Sequence, residues 1–80
     1  MRMKTTPDIA FEIWAPDAER KEWQIMVDRH VLGRHRSQID AIEYAKSVAR
    51  EAAEEANLHT IVFRCGPHGK RQRIAVFGAG

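Results

Sequence analysis

Two short stretches near the start of the chain alternate between apolar and polar positions, which is the pattern of β-strands. The first covers residues 9–14 (IAFEIW) and the second covers residues 23–27 (WQIMV). The polar segment between them contains a Pro-Asp pair, which is typical of a turn or loop. Together these stretches predict a first β-hairpin.

A longer segment, residues 38–56, is rich in helix-forming residues and follows Ser37, a residue type that often caps a helix N-terminus. Asn57 fits a left-handed residue at the other end. At the helical repeat, the apolar side chains fall within one half of the wheel, so the segment predicts an amphipathic helix. The predicted apolar half comprises Ile39, Ile42, Ala45, Val48, Ala49, Ala52, Ala53 and Ala56.

The remaining patterned segments follow the helix. Residues 59–65 (HTIVFRC) and 70–77 (KRQRIAVF) are rich in β-branched and aromatic side chains, and a Gly-Pro-His-Gly turn separates them. They predict a second hairpin. Residues 30–36 (HVLGRHR), with a central Gly33, are interpreted as a connection between the first hairpin and the helix.

This order of elements predicts an α+β fold of the ββαββ type. Two hairpins would form a four-stranded antiparallel sheet, and the amphipathic helix would pack on one face of it. A length of 80 residues allows one domain, predicted over residues 8–80. Residues 1–7 (MRMKTTP) are polar without periodicity and predict a disordered tail.

Alternation along the strands also predicts which side chains leave the core. Six residues should face the helix: Ile25, Val27, Ile61, Phe63, Ile74 and Val76. The other sheet face would then be half apolar, carrying Trp14, Met26, Val62 and Phe77 among Glu12, Asp28, Arg64 and Arg73. Such a face is a candidate interface, centred on Trp14, Val62 and Phe77, for a homodimer or another protein. The alternative is an ordinary solvated sheet face.

Charge is segregated along the chain. No acidic residue follows Glu55, whereas Arg64, Lys70, Arg71 and Arg73 all lie in the second hairpin, although the net charge is only +2. If Arg64 faces Arg71, an anion between them would relieve the repulsion, and phosphate is a common choice. The hairpin is therefore a candidate site for a nucleic acid or an acidic protein. The alternative is that these side chains extend into water or lie on aromatic rings.

A second basic segment, residues 29–36, precedes the helix. Its Arg34 and Arg36 could extend a path for phosphates, because the free amides of a helix N-terminus also favour anions. The alternative is a solvated loop.

The sequence gives little support to a disulfide, a metal site or an enzyme active site. Cys65 is the single cysteine, so no internal disulfide can form, which fits a reducing compartment. The sequence shows no pattern of a signal peptide or a membrane span, so we expect a cytoplasmic protein. Cys65 and His68 do not make the four-ligand set of a structural zinc site. We find no phosphate-binding loop, nucleophile elbow or His-Glu metal motif, so we predict no enzyme activity, no metal, no cofactor and no small-molecule substrate.

Most of the chain, from about residue 20 onward, resembles a known family. Residues 40–46 (DAIEYAK), 49–50 and 60–64 (TIVFR), followed by a glycine-containing turn and Arg73-Ile74, resemble the small bacterial domains called domain of unknown function 2188. The resemblance covers about residues 20–80, and the turn over residues 65–70 is longer than that family's usual form. It implies the ββαββ order but no activity, and no functional residue carries over.

The sequence therefore predicts a small non-catalytic binding domain, with nucleic acid or another polyanion contacting the basic second hairpin. The alternative is a protein-interaction or inhibitor module, homodimeric through its open sheet face.

Overall fold

A computed structural model describes residues 7–66 and 69–78. Most of the predicted tail, the centre of the predicted turn at residues 67–68, and residues 79–80 lie outside this range. The described residues form, in chain order, β1 (Ile9–Trp14), β2 (Trp23–Val27), β3 (His30–His35), α1 (Gln38–Glu55), β4 (Thr60–Cys65) and β5 (Arg71–Phe77).

The five strands form one mixed sheet in the order β3-β2-β1-β4-β5. Strands β1 and β4 are parallel, and every other neighbouring pair is antiparallel. The α+β class, with one helix on one sheet face, is confirmed for the described residues. The prediction of four antiparallel strands is wrong in two respects, the number of strands and the direction of one pair.

The extra strand, β3, occupies the segment that was predicted to be a connection. It pairs with β2 through a two-residue turn in which Asp28 and Arg29 have φ of 51° and 68°. Two positive φ values are the mark of a type I′ hairpin turn, whose usual residues are Asn-Gly or Asp-Gly. Because arginine replaces the glycine, the turn lacks its sequence signal. Gly33, which suggested a loop, lies instead within β3 opposite Ile25.

The parallel pair follows from this extra strand. With β3 included, the chain enters α1 travelling in the direction of β1, and the helix returns it to the opposite end of the sheet. Strand β4 therefore runs alongside β1 in the same direction, with Ile9 opposite Thr60 and Trp14 opposite Cys65. A chain that entered the helix directly from β2 would have given the predicted antiparallel arrangement.

Helix α1 begins and ends as its residue types suggest. The Oγ atom of Ser37 accepts a hydrogen bond from the Asp40 backbone N–H at 3.1 Å, which satisfies one free amide of the first turn. Asn57 has φ of 55°, the left-handed conformation expected just after the helix. The sequence therefore predicted both ends of the helix within about two residues.

The helix contacts the sheet through a narrow stripe of alanines. Ala41, Ala45, Ala49 and Ala53, spaced four residues apart, are the buried residues of α1. Ala41 was not in the predicted apolar half, and Ile39, which was, is 72% exposed. Four-residue spacing keeps one line of small side chains on the sheet, so the helix backbone can approach closely. Ile39 lies in the first turn, off this line.

The core lies between this stripe and the inward side chains of the central strands. Phe11, Ile13, Ile25 and Val62 form it with Ala41, Ala45 and Ala49. Thr60 is also fully buried, and its hydroxyl donates a hydrogen bond to the Ala49 carbonyl oxygen at 2.8 Å. Because β4 lies in the middle of the sheet and is apolar on both sides, alternation could not indicate which side faces the helix.

The predicted sides of β4 and part of β5 are therefore reversed. Val62 is fully buried in the core and Phe77 packs against it, so their predicted place on the open side is wrong. Ile61, Phe63 and Val76, which should have faced the helix, take the open side instead. Ile74 packs against the core as predicted, because the pairing of β4 with β5 shifts by one residue between Val62 and Phe63.

Candidate functional site: the open face of the sheet

The sheet face opposite α1 has no helix over it among the described residues. Residues that pair across neighbouring strands share a side of the sheet, so the pairing register identifies the members of this face. We call the following set the open face: Ala10, Glu12, Trp14, Gln24, Met26, Val31, Arg34, Ile61, Phe63, Cys65, Arg71, Arg73 and Val76.

Two aromatic side chains occupy the central strands of the open face. Trp14 on β1 is opposite Cys65 of β4, and Phe63 on β4 is opposite Glu12 of β1. Both aromatic residues are partly exposed. Trp14 and Phe63 are thus diagonal neighbours on adjacent parallel strands, at a spacing of roughly 7 to 8 Å.

The side chain of Arg71 lies over the Phe63 ring. The guanidinium carbon of Arg71 lies 5.2 Å from the centre of the Phe63 ring, and its Nη2 forms an ion pair with the Glu12 carboxylate. Three strands, β1, β4 and β5, therefore contribute to one cluster. The ion pair positions the arginine across the ring, where the ring quadrupole also attracts it.

An arginine also lies over the Trp14 ring, but this one, Arg20, belongs to the loop between β1 and β2. The guanidinium carbon of Arg20 lies 5.4 Å from the centre of the Trp14 ring. The Asp17 carboxylate accepts a hydrogen bond from Nη2 of Arg20 at 2.6 Å, and it also accepts from the backbone N–H groups of Glu19 and Arg20. The hydrogen bonds from those two backbone groups are the main reason that the pKa of Asp17 lies below its ordinary value.

Cys65 lies between these two clusters. Its side chain is almost completely buried although it belongs to the open face. Burial raises the pKa of its thiol, the nearby Glu12 carboxylate raises it further, and Arg71 opposes both. The thiol is therefore neutral near pH 7 and contributes an apolar surface rather than a nucleophile.

The second hairpin does not gather its four basic residues on one side. Arg64 pairs with Gln72 and shares the helix side of the sheet, whereas Arg71 pairs with Cys65 and Arg73 with Phe63. The predicted pairing of Arg64 with Arg71 is therefore wrong. The backbone N–H of Gly66 donates a hydrogen bond to the Lys70 carbonyl oxygen, so the strands pair one residue later at the turn than the predicted pairing of Gly66 with Gly69. Lys70 precedes the strand and is exposed.

The other predicted basic residues lie at the opposite edge of the sheet. Arg34 is exposed on β3 opposite Gln24, and Arg36 is exposed just after that strand. Four strand spacings separate β3 from β5, which corresponds to roughly 19 Å. Arg34 and Arg73 therefore flank the open face from its two edges, with the aromatic side chains between them.

Of the predicted interface residues, Trp14 alone lies on the open face. Three side chains important to this face were not predicted to contribute: Arg20, Glu12 as a partner of arginine, and Phe63. The Asp17-to-Arg20 spacing was a signal for the first, since an Asp in a turn can bind both the backbone and a side chain three residues on. The other two depend on the parallel pairing of β1 with β4.

Charge on the helix has the opposite sign. The exposed surface of α1 carries five carboxylates, and Lys46 and Arg50 are the basic residues among them. The carboxylates belong to Asp40, Glu43, Glu51, Glu54 and Glu55. The helix side therefore carries these five carboxylates with Lys46, Arg50 and Arg64, whereas Arg34, Arg71 and Arg73 lie on the open face.

Both edge strands are irregular. The pairing shifts by one residue between Ile25 and Met26 opposite β3, and between Val62 and Phe63 opposite β5. A bulge interrupts the regular row of free backbone groups that an added strand would need. An added strand would therefore pair poorly along either edge, so the open face is the more regular surface for binding a partner.

Within the described residues, no cluster of three or more His, Cys, Asp and Glu side chains could hold a metal ion. In the same part of the chain, the helix lacks the length and apolar character needed to cross a membrane.

Comparisons of this chain with protein-family models, with curated proteins and with solved structures find no match. The resemblance to domain of unknown function 2188 therefore stays a prediction.

Proposed function

We propose that the open face binds single-stranded nucleic acid. The observation that carries this proposal is the arrangement of two central aromatic side chains, Trp14 and Phe63, between arginines at both edges of the sheet, Arg34 and Arg73. Aromatic side chains on a sheet surface can stack on the bases of a single strand, while arginines bind its phosphates.

The charge distribution supports the same proposal. The acidic helix repels a polyanion from the covered side of the molecule, whereas Arg34 and Arg73 attract it to the open side. A duplex fits less well, because its bases are stacked inside and offer no free ring face to Trp14 or Phe63. Within the described part of the chain, the open face also has no helix that could enter a major groove.

Arg71 contributes to this face in a different way. Its guanidinium lies between the Phe63 ring and the Glu12 carboxylate, so it is already neutralised by a partner. A planar guanidinium held over a ring offers its own flat face to a base. We therefore assign stacking, rather than binding of a phosphate, to Arg71.

The test is a fluorescence anisotropy titration of labelled ten-nucleotide single strands, with a duplex of the same sequence for comparison, at 50 and 200 mM salt. The double variant Arg34→Gln/Arg73→Gln should lose about tenfold in affinity at low salt. Its salt dependence should also fall, since each phosphate contact on a single strand contributes about 0.7 to the slope. The matched control is Arg64→Gln, which removes an exposed arginine of the same hairpin from the other side of the sheet.

The outcomes separate the proposal from its rivals. Equal losses for Arg64→Gln and the double variant would assign binding to the whole basic hairpin and not to the open face. If no oligonucleotide binds at 50 mM salt, the proposal is wrong. Self-association in sedimentation equilibrium that Trp14→Ala abolishes would then favour the alternative, a homodimer through this face.

A further inference from the structure

A cleft opens beside Trp14 at the end of the sheet where β1 and β4 finish. Its volume is about 430 Å³, within the range of small-ligand sites, roughly 300 to 1,000 Å³. Its lining combines one aromatic ring, one guanidinium and backbone that carries small side chains. The lining residues are Trp14, Ala15, Pro16, Asp17, Arg20, Cys65, Gly66 and Gly69.

The cleft holds an unpartnered hydrogen-bond donor beside a carboxylate that is already bonded within its own loop. The Asp17 carboxylate already accepts three hydrogen bonds from its own loop. In contrast, Nε of Arg20 is buried and has no hydrogen-bond partner within the described residues. A buried donor without a partner is unfavourable, so an acceptor on a ligand would satisfy it.

The glycines leave room on the side opposite the β1–β2 loop. An ideal Cβ placed on Gly66 would lie 3.9 Å from its nearest neighbour, the Lys70 carbonyl oxygen, and one on Gly69 would meet nothing within 4 Å. Among the described residues, other than the chain neighbours of these glycines, no side chain crowds either position.

We propose that this cleft binds one nucleobase of the single strand, an inference that rests on the proposed function. The base would contact the Trp14 ring, and a rotation of the Arg20 side chain would let its buried Nε donate a hydrogen bond to a ring nitrogen or carbonyl oxygen of the base. All nucleobases carry such acceptors, so the contact selects a planar, acceptor-bearing group without selecting one base. Arg20, held by Asp17, is a positioning and binding residue here.

The experiment uses the whole protein and free nucleotides. The indole N–H signals of Trp14 and Trp23 are assigned in a nitrogen-15 NMR spectrum by comparison with the Trp23→Phe variant. Adenosine monophosphate, uridine monophosphate and ribose 5-phosphate are then titrated separately. Both nucleotides should shift the Trp14 signal and leave that of Trp23 in place, whereas ribose 5-phosphate, which lacks a base, should shift neither.

Two variants connect the cleft with strand binding. Trp14→Leu should remove the response to nucleotides and weaken binding of the ten-nucleotide strand by about tenfold, the usual effect of losing one stacked base. Arg20→Lys keeps the positive charge and the tryptophan but lacks the Nε donor, so it should weaken nucleotide binding severalfold with the fold intact.

The failure of this inference is distinguishable from failure of the proposed function. If the strand binds but nucleotides do not shift the Trp14 signal, and Arg20→Lys binds the strand with unchanged affinity, the cleft does not bind a base. The open face then remains the binding surface for the strand. An equal response to ribose 5-phosphate would overturn the inference in favour of a phosphate site. Nucleotide binding without binding of any strand would retain the cleft and overturn the proposed function.

Discussion

The two faces of the sheet are built on different principles. The helix side is closed by small side chains, since Ala41, Ala45 and Ala49 of α1 are fully buried against the sheet. The open face has large side chains that depend on one another, with arginines lying over Phe63 and Trp14. Substitutions should therefore affect stability mainly on the first face and binding mainly on the second.

The largest loss of stability is expected from a larger side chain at the centre of the alanine stripe that packs on the sheet. Ala45→Leu should destabilise the protein by about 3 kcal/mol, because three extra carbon atoms must push the helix away from a close-packed sheet. Urea unfolding followed by circular dichroism measures the change. Ser47→Leu, an exposed position on the same helix, is the control and should alter stability by no more than about 0.5 kcal/mol. Equal effects at both positions would contradict the alanine stripe.

A smaller loss is expected where the chain leaves β5. Gly78 has φ of 68°, and an ideal Cβ there would lie 2.2 Å from the Leu58 carbonyl oxygen and 3.1 Å from Cβ of Ala53. Gly78→Ala should therefore cost about 2 kcal/mol, from the left-handed backbone and the displaced neighbours.

The matched control for this change is Gly69→Ala. Gly69 has φ of 75° but open space around its Cβ position. The same substitution there therefore costs only the strain of the left-handed backbone. Gly69→Ala should lose about 1 kcal/mol. Thermal unfolding of the two variants isolates the effect of the contact with Leu58 and Ala53. A loss at Gly69 equal to that at Gly78 would mean that this contact contributes nothing.

The turn between β2 and β3 should respond in the opposite direction. Arg29 has φ of 68° in a type I′ turn, so Arg29→Gly should stabilise the protein by about 0.5 to 1 kcal/mol through relief of backbone strain. Arg29→Ala removes the side chain without relieving the backbone and is the control. If alanine raises the unfolding midpoint as much as glycine, the gain comes from removing the arginine charge.

The smallest effect on stability, and the clearest on binding, is expected at Glu12. Glu12→Gln breaks a partly exposed ion pair with Arg71 and should change the free energy of unfolding by less than about 1 kcal/mol. It also removes a negative charge from the open face, so affinity for a single strand should rise about threefold at low salt.

The same variant has an independent readout. The Glu12 carboxylate contributes to the raised pKa of Cys65, so Glu12→Gln should move the midpoint of cysteine alkylation to a lower pH. Asp40→Asn, on the helix side, is the control for both measurements and should leave alkylation unchanged. Tighter binding by both variants would show a general charge effect rather than one specific to the open face.

Much of the fold could be predicted from periodicity. The bounds of β1 and β2 follow from alternation, and the helix follows from its cap and its alanine-rich half. Strand β3 could not be predicted, because its entry turn lacks glycine and because Gly33 resembles a loop residue. That single omission also concealed the parallel pairing of β1 with β4.

The candidate site could be predicted only in part, because it depends on long-range pairing. Trp14 and Arg73 were identified from composition and position, but the side of the sheet that Phe63 occupies is set by the parallel register of β4 with β1, in which Phe63 lies opposite Glu12. A central strand that is apolar on both sides carries no periodic signal for which side is covered. Neighbouring strands, rather than local sequence, decide it.

The parallel pair also has a consequence for the order of events during synthesis. Strand β1 meets β4 across a separation of 51 residues, from Ile9 to Thr60, whereas β1, β2 and β3 are joined by short connections and can pair as soon as they emerge. Until the ribosome has released the helix and β4, β1 is an edge strand with one side of its backbone unpaired. The strand at the centre of the finished sheet is thus paired on both sides later than its neighbour β2, and rapid helix formation shortens that exposure.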